Sequence, residues 1–223
     1  MASRKCWLVT SALAALAVYA LLWIGFAQHW SWLTAADSAA LEAFYRRGEE
    51  DPGWVIGWDL FCTVLGPGVF RLLTVVLIIV ALARRNVRIA TFLLISVELS
   101  GLVTEAAKAA ADRPRPDTAF VDALGLSFPS GHALGVLVAV LALLAVGLPM
   151  VPPRLGAWLI TLGVAVVVLI GVGRVVLNVH HPSDVMAGWA LGYAYFVLCL
   201  LVVSPSRPIT EADETPAVPG IAR

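Results

Sequence analysis

Six runs of apolar residues, each long enough to cross a lipid bilayer as a helix, constrain the fold of this chain more than any other feature. An α-helix rises 1.5 Å per residue, so about 20 residues cross the roughly 30 Å of hydrocarbon in a bilayer. The runs are Trp7–Ala27, Leu60–Ala83, Ile89–Ala111, Ala133–Pro149, Leu155–Gly173 and Val185–Val203. We therefore predict an all-α, polytopic membrane protein built as a bundle of six transmembrane helices.

The runs define one predicted transmembrane domain, residues 1–204, followed by a tail. Residues 205–223 are rich in Pro, Thr and acidic residues, a composition that predicts a disordered cytoplasmic tail. Basic residues before the first run resemble a secretory signal, but the run exceeds the roughly 7–15 apolar residues of a signal core, which favours an uncleaved helix. Gln28–Asp59 carries four Trp residues and is interpreted as an outer loop with anchors at the membrane interface.

Charge in the connections predicts the orientation. Six helices place both termini on one side, and positive charge near helix ends marks the cytoplasmic side. The basic residues on the side of the termini are Arg4, Lys5, Arg84, Arg85, Arg88, Arg154 and Arg207. The opposite side has nearly as many cations, but four of them belong to the candidate site. We predict a multi-pass protein of the cell membrane whose active site lies on the external face.

Composition excludes several classes of protein. The formal net charge is zero, which leaves no basic excess for a nucleic-acid partner. The three cysteines, Cys6, Cys62 and Cys199, are too few and too scattered for a disulfide framework or a metal cluster. Each lies in an apolar segment and is predicted to be a small buried residue.

Two polar segments on the external side carry cations that suit an anionic ligand. Lys108 lies near the end of the third run, Arg113 and Arg115 occur between the third and fourth runs, and Arg174 follows the fifth. Planar guanidinium groups match the paired oxygens of a phosphate. Ser130–Gly131 opens the fourth helix, so free backbone N–H groups and the positive end of the helix dipole point to the same place. Gly131 also has no side chain that would keep an oxyanion at a distance.

The same segments carry two histidines and a carboxylate. An imidazole can attack phosphorus or deliver a proton, and His132 and His180 allow one of each. Asp184 follows His180 by four residues and can hold its ring in one tautomer. The residues therefore predict phosphoryl transfer through a phosphohistidine, with Lys and Arg supplying electrostatic stabilisation.

The histidines of this sequence also allow other interpretations. A zinc site could use His132, His180, His181 and Asp184, but the neighbouring cations would repel a dication, so no metal or other cofactor is predicted. His181 precedes Pro182 and is expected to shape the start of the sixth helix. His29 is expected to be an interfacial residue.

The order and spacing of these residues resemble the three-part signature of the phosphatidic acid phosphatase type 2 superfamily. Lys108 is followed after six residues by Arg115–Pro116, then comes Pro129–His132, and Arg174 precedes His180 by six positions and Asp184 by ten. The motifs cover residues 108–184, and the six-helix pattern extends the resemblance over most of the chain.

The resemblance implies a role for each matching residue. His180 matches the nucleophile, Asp184 its orienting carboxylate, and His132 the acid that protonates the leaving group. The residues that match the phosphate cradle are Lys108, Arg115, Ser130, Gly131 and Arg174. Gly173 departs from the pattern, which usually has Ser before this Arg. The spacing selects Arg115, and Arg113 is a neighbour that could touch a longer phosphate group.

The predicted function is that of a metal-independent membrane phosphatase acting on a lipid phosphate or diphosphate. By resemblance, the candidate substrates are polyprenyl diphosphate, phosphatidylglycerophosphate and phosphatidate. One alternative is a lipid phosphotransferase on the same scaffold, in which a hydroxyl replaces water. Another is a transporter or binding protein for anionic lipids without turnover. The partners are lipid phosphate and membrane lipids, and the sequence leaves the oligomeric state open.

A last expectation concerns charges inside the second and third runs. Arg71 lies in the second, while Glu98 and Glu105 lie seven residues apart on one face of the third. Since a lone charge in a membrane is costly, we predict that Arg71 pairs with one of the two glutamates. Glu105, one turn before Lys108, is also expected to position that lysine.

Overall fold

A computed structural model of the protein describes residues 2–205 and is helical over nearly all of them. The helices of this part are α1 Ala2–Ala27, α2 Ser31–Glu50, α3 Pro52–Val64, α4 Pro67–Ala83, α5 Val87–Leu93, α6 Ser100–Ala111, α7 Gly131–Gly147, α8 Pro153–Val176 and α9 Pro182–Val202. A π-helical turn, Leu94–Glu98, joins α5 to α6, and a 3₁₀ turn, Leu148–Met150, follows α7. The described residues contain no strand, so the all-α prediction is confirmed. The predicted disordered tail lies outside the described residues, except for Pro205.

Six helical stretches of this part are long and apolar enough to cross a membrane, as predicted. They are Ser3–Ala27, Pro52–Ala83, Val87–Ala111, Gly131–Met150, Pro153–Val176 and Pro182–Val202. The second begins at Pro52 rather than at Leu60, because α3 and α4 follow each other across a short break. Pro67 lacks a backbone N–H group, which suits the first turn of α4.

The predicted outer loop Gln28–Asp59 is wrong, because most of it forms α2 and the start of α3. The buried residues of α2 are Leu33, Asp37, Leu41 and Gly48, which recur at the spacing of one helical face. The loop prediction relied on the four Trp residues as interfacial anchors and did not take this helical periodicity into account. α2 is not among the six apolar stretches, and its buried face rests on the bundle.

α7 is the central helix of the bundle and packs against α4, α6, α8 and α9, while α1 packs along α9. Ala133, Val136 and Ala139 of α7 are fully buried. Large apolar side chains on the outer helices are exposed instead, among them Leu13, Leu72, Leu102, Leu162 and Leu198. This apolar outer surface matches lipid as the surrounding medium.

The cysteine prediction holds in two of three positions. Cys62 and Cys199 are buried, but Cys6 is exposed near the start of α1. An outer helix of the bundle has a surface that no other helix covers, and Cys6 lies on it.

The two polar segments predicted to form the site lie together at one end of the bundle. The Ser130 N–H donates to the Asp184 carbonyl at 2.9 Å, and the Phe120 N–H donates to the Leu177 carbonyl at 3.1 Å. α2 covers this end, where the Tyr45 ring stacks on Phe120 with 5.3 Å between centroids. The first segment is thus fixed between α2 and the start of α9.

Candidate active site

His180 is almost completely buried, with 1% of its surface exposed. Its Nε2 lies 3.1 Å from Nη1 of Arg115, and its Nδ1 lies 3.6 Å from Oδ2 of Asp184. A guanidinium group can only donate, so Nε2 must accept and the proton must reside on Nδ1. His180 therefore has its lone pair on Nε2, and an unprotonated ring nitrogen is what a phosphohistidine mechanism requires as nucleophile.

The environment of His180 keeps its imidazole neutral. Burial lowers the pKa of His180 to about 4, and the charges of Arg174 and Arg115 act in the same direction. Asp184 opposes the shift, since its carboxylate favours the protonated ring. His180 is thus unprotonated at neutral pH.

Asp184 occupies the third position of α9 and is fully buried. Its Oδ1 accepts from Nη1 of Arg113 at 2.7 Å, and its Oδ2 accepts from the Ser127 hydroxyl and from the His181 N–H at 2.8 Å. The Ser127 hydroxyl also lies 3.4 Å from Nδ1 of His180 and so bridges the ring and the carboxylate. These donors fix an ionised carboxylate beside the imidazole.

His181 behaves as predicted. It is the N-cap of α9, where its side chain accepts from the Asp184 N–H and its own N–H donates to Oδ2 of Asp184, which forms a capping box. Within residues 2–205, no group of three or more His, Cys, Asp and Glu side chains has an arrangement that could hold a metal ion. The four residues of the zinc hypothesis are thus not assembled as ligands there.

Arg115, which the motif spacing assigns to the phosphate cradle, contacts His180. Its Nε donates to the Gly125 carbonyl at 3.0 Å, its Nη2 to Leu124 at 2.9 Å, and its Nη1 to Val179 at 2.9 Å. Burial lowers the pKa of the Arg115 guanidinium, and the charge of Asp184 opposes this shift. Backbone carbonyls thus orient the guanidinium so that Nη1 faces Nε2 of His180.

Lys108 and the start of α7 lie side by side. A Cβ atom placed on Gly131 would lie 4.0 Å from Nζ of Lys108 and 3.1 Å from Cγ2 of Thr104. Any larger residue would therefore enter the space between the ammonium group and the N-terminus of α7. Ser130 is the N-cap of α7, and its buried hydroxyl has no hydrogen-bond partner among the described residues. This arrangement of donors suits a phosphate.

His132 follows in the first turn of α7 and lines the same cavity as Lys108 and Gly131. Its electrostatic neighbours are Arg174, His180, Arg115 and Lys108. The structure thus assembles all eight predicted site residues at one end of the bundle. Their individual roles remain predictions.

Arg174 is buried near the end of α8, and its Nε has no hydrogen-bond partner among the described residues. The departure at Gly173 has a steric explanation. A Cβ atom there would lie 2.5 Å from Sγ of Cys62 and 2.9 Å from a ring carbon of Trp58. The Cys62 and Trp58 side chains fill the space that a serine side chain would need, so glycine is required beside them.

Arg113 has a different role from the one proposed from sequence. Its Nη1 contacts Ser183 as well as Asp184, and its Nη2 donates to Oδ2 of Asp37 at 2.9 Å. Asp37 of α2 also accepts from the Ser183 N–H at 3.0 Å. Arg113 is thus enclosed by protein groups and holds Asp184, rather than extending toward a longer phosphate.

Sequence reasoning did not identify Ser127, Ser183 or Asp37 as parts of the site. Ser127 lies three residues before Ser130, which could have drawn attention to it. The signal for Asp37 is weaker, because it is a carboxylate on the apolar face of a helical pattern. That segment was predicted to be a loop, so the pattern was not used.

The predicted pairing of Arg71 is wrong, whereas the predicted contact of Glu105 with Lys108 is present. Among the described residues, Arg71 forms no ion pair, and Glu98 accepts from the Thr74 hydroxyl instead. Oε1 of Glu105 lies 3.1 Å from Nζ of Lys108. The positions of these residues along the two helices predict that Arg71 lies at a depth similar to that of the carboxylates. They do not predict that Glu98 accepts from Thr74 and that Glu105 pairs with Lys108.

These features define a class: a helical membrane protein with a buried histidine–carboxylate pair surrounded by cations and a helix N-terminus. The family model of the PAP2 superfamily matches residues 89–208, more than half of the chain. The chain belongs to the PAP2 superfamily.

Curated relatives are similar over part of the chain. An undecaprenyl-diphosphatase from Sulfolobus acidocaldarius is 34% identical over 40% of this chain and 38% of its own length. A phosphatidylglycerophosphatase B from Bacillus subtilis is 37% identical over 39% of this chain and 44% of its own length. A lipid A 1-phosphatase from Rhizobium johnstonii is 35% identical over 52% of this chain and 48% of its own length. The similar region thus spans less than half of each of these relatives.

A solved structure resembles nearly the whole chain. The crystal structure of a transmembrane PAP2-type phosphatidylglycerolphosphate phosphatase from Bacillus subtilis matches with a TM-score of 0.76 and 22% sequence identity. The match covers 90% of this chain and 99% of that chain. It establishes that the two proteins share a fold.

Proposed function

We propose that this protein is a membrane phosphatase that hydrolyses a lipid phosphate or diphosphate without a metal ion. The observation that carries the proposal is the geometry of His180, whose Nε2 lone pair faces a guanidinium while Nδ1 faces Asp184 and Ser127. Two further donors, the Ser130 hydroxyl and Nε of Arg174, are buried and unpartnered within the described residues. A phosphate oxygen would provide the acceptors that such groups ordinarily have.

The proposed reaction has two steps. In the first, Nε2 of His180 forms a bond to phosphorus, the bond from phosphorus to the lipid oxygen breaks, and His132 donates a proton to that oxygen. In the second, His132 takes a proton from water, the water oxygen attacks phosphorus, and the N–P bond breaks to release phosphate. Asp184 stabilises the positive charge on the His180 ring in both steps.

The cations stabilise the charge that develops on the transferred group. Lys108, Arg115 and Arg174 lie around His132 and can contact equatorial oxygens of the transition state. The N-terminus of α7 adds backbone donors from Gly131 onward.

We also propose a location for the protein and a class of lipid substrate. The basic connections support a cytoplasmic location for both termini and an external location for the site in the cell membrane. The names of the curated relatives support lipid diphosphates, phosphatidylglycerophosphate and other lipid phosphates as candidate substrates.

The test is phosphate release by the purified protein from a panel of lipid phosphates, with a chelator present. We expect turnover that persists in chelator, inhibition by vanadate, and a phosphoenzyme that is absent in His180→Ala. His132→Ala should slow turnover by about 10²–10⁴-fold, the usual effect of losing a proton-transfer group. His29→Ala serves as a matched control, because His29 is exposed and lies outside the predicted set.

The outcomes distinguish the alternatives. Full activity of His180→Ala would overturn the mechanism, and activity that vanishes in chelator and returns with a divalent ion would favour a metal site. Tight binding of lipid phosphate without release would indicate a binding protein. Transfer of phosphate to an added hydroxyl compound in preference to water would indicate a phosphotransferase.

A further inference from the structure

The cavity that contains the phosphate-binding end of the site continues into the membrane-spanning part of the bundle. It has a volume of about 680 Å³ and is bounded by α3, α4, α6 and the start of α7. Lys108, Gly131 and His132 line one end, and Arg71 and Glu98 line it further along. A substrate bound at Lys108 therefore has room to extend past Arg71.

Arg71 holds its charged group inside this cavity. A Cβ atom placed on Gly101 of α6 would lie 2.7 Å from Nη2 of Arg71 and 3.5 Å from its Nη1. The guanidinium thus lies across α6 at a position where only glycine leaves room. Its Nε is buried and has no hydrogen-bond partner within the described residues.

Within the described residues, neither carboxylate of the cavity forms an ion pair with Arg71. Glu98 accepts a hydrogen bond from the Thr74 hydroxyl, and Glu105 pairs with Lys108. A cation within a membrane-spanning helix is costly and marks a functional site when it faces a cavity. Arg71 is therefore a cation of this cavity that is available to bind an anionic ligand.

The two cations lie one after the other along α6, an arrangement that suits a substrate with two phosphate groups. Gly101 and Lys108 are seven residues apart on α6, so they share a face and are separated by about 10 Å along the axis. The Lys108 ammonium turns back toward Glu105, which brings it nearer to Arg71. If the terminal phosphate of a lipid lies at Lys108, the group that links this phosphate to the apolar chain lies toward Arg71.

We infer that Arg71 binds a second phosphate, the one between the reacting phosphate and the apolar chain of the lipid. This inference rests on the proposed function and specifies its substrate class. The second phosphate can be joined directly to the first, as in a polyprenyl diphosphate, or through glycerol, as in phosphatidylglycerophosphate. Guanidinium binds either group through paired hydrogen bonds.

The experiment compares matched lipids with the full-length purified protein. One pair is a polyprenyl diphosphate and the monophosphate of the same chain; the other is phosphatidylglycerophosphate and phosphatidate with the same acyl chains. In Arg71→Gln, kcat/KM should fall about 10- to 100-fold for the lipid with two phosphates, the range for losing a charge-assisted hydrogen bond. It should stay unchanged for the lipid with one phosphate, which also shows that the variant is folded.

Two further variants sharpen the test. Arg71→Lys should recover part of the lost kcat/KM, because it keeps the charge without the planar fork. Arg84→Gln removes an exposed arginine at the other end of α4 and should leave both members of each pair unaffected. A selective loss for only one of the two-phosphate lipids would support the inference and identify the linkage.

Equal effects of Arg71→Gln on both members of each pair, or no effect on either, would overturn the inference and leave the proposed function standing. Failure of the unmodified protein to release phosphate from any of the four lipids would instead overturn the proposed function.

Discussion

The buried imidazole of His180 is the centre of the candidate site. His180 is held between a guanidinium on Nε2 and a hydroxyl and carboxylate on Nδ1, so its tautomer follows from contacts on both sides of the ring. Burial makes the neutral form dominant, because the charged ring would lose its hydration. The same burial therefore keeps the proposed nucleophile unprotonated at neutral pH.

The lowered pKa of His180 predicts an unusual acid limb in the pH dependence of catalysis. The group attacks only when unprotonated, so kcat/KM should remain level between pH 5 and 7 as far as His180 is concerned and fall below its pKa of about 4. The measurement is kcat/KM between pH 3 and 7, corrected for the ionisation of the lipid phosphate itself. An acid limb centred at the ordinary histidine pKa of 6.5 would contradict the described environment.

α2 shows how an element outside the apolar spans can support the site. Asp37 on its buried face contacts both Arg113 and the N-terminus of α9, and Arg113 in turn holds Asp184. The carboxylate, guanidinium and second carboxylate alternate in charge from α2 to the neighbour of His180. Through Arg113, α2 thus helps to fix the position of Asp184.

This arrangement predicts the effect of Asp37→Asn. Arg113 would lose one of its two carboxylates, so we expect a loss of about 1–3 kcal/mol in the free energy of unfolding, as for a buried hydrogen bond to a charged group. We also expect kcat to fall with little change in KM, because Asp184 loses support while the phosphate cradle is retained. Thermal unfolding and phosphate release of the purified variant provide both measurements.

The matched control for this prediction is Glu42→Gln, which makes the same change of charge on an exposed position of α2. It should leave both the melting temperature and kcat near those of the unmodified protein. Indistinguishable behaviour of the Asp37 and Glu42 variants would show that α2 does not support the site.

Some elements could be predicted from sequence because their signals are local. Apolar runs of membrane length and the helix starts at Gly131 and Pro182 depend on composition and on nearby residues, and both are present in the structure. Asp37 could not be assigned in this way, since its partner Ser183 lies 146 residues away in sequence. Likewise, the need for Gly173 arises from the Cys62 and Trp58 side chains of another helix.

At the scale of the whole molecule, the chemistry occupies one end of the bundle and the short basic connections occupy the other. The segments 112–130 and 177–181 lie at the end covered by α2, whereas the turns at Arg84–Asn86 and Val151–Pro152 join helices at the opposite end. Because of this separation, the orientation of the protein in the membrane determines which leaflet supplies the lipid substrate.

The proposed orientation predicts which positions an impermeant thiol reagent can reach in intact cells. Asp122 is exposed in the segment before α7, and Asn86 is exposed in the turn between α4 and α5. The background should carry Cys6→Ser, because Cys6 is the exposed one of the three cysteines, while Cys62 and Cys199 are buried. In this background we expect labelling of Asp122→Cys in intact cells, and labelling of Asn86→Cys only after the membrane is permeabilised. Phosphate release by each variant confirms that the labelled protein is folded. Labelling of Asn86→Cys together with protection of Asp122→Cys in intact cells would place the site, and its lipid substrate, at the inner leaflet.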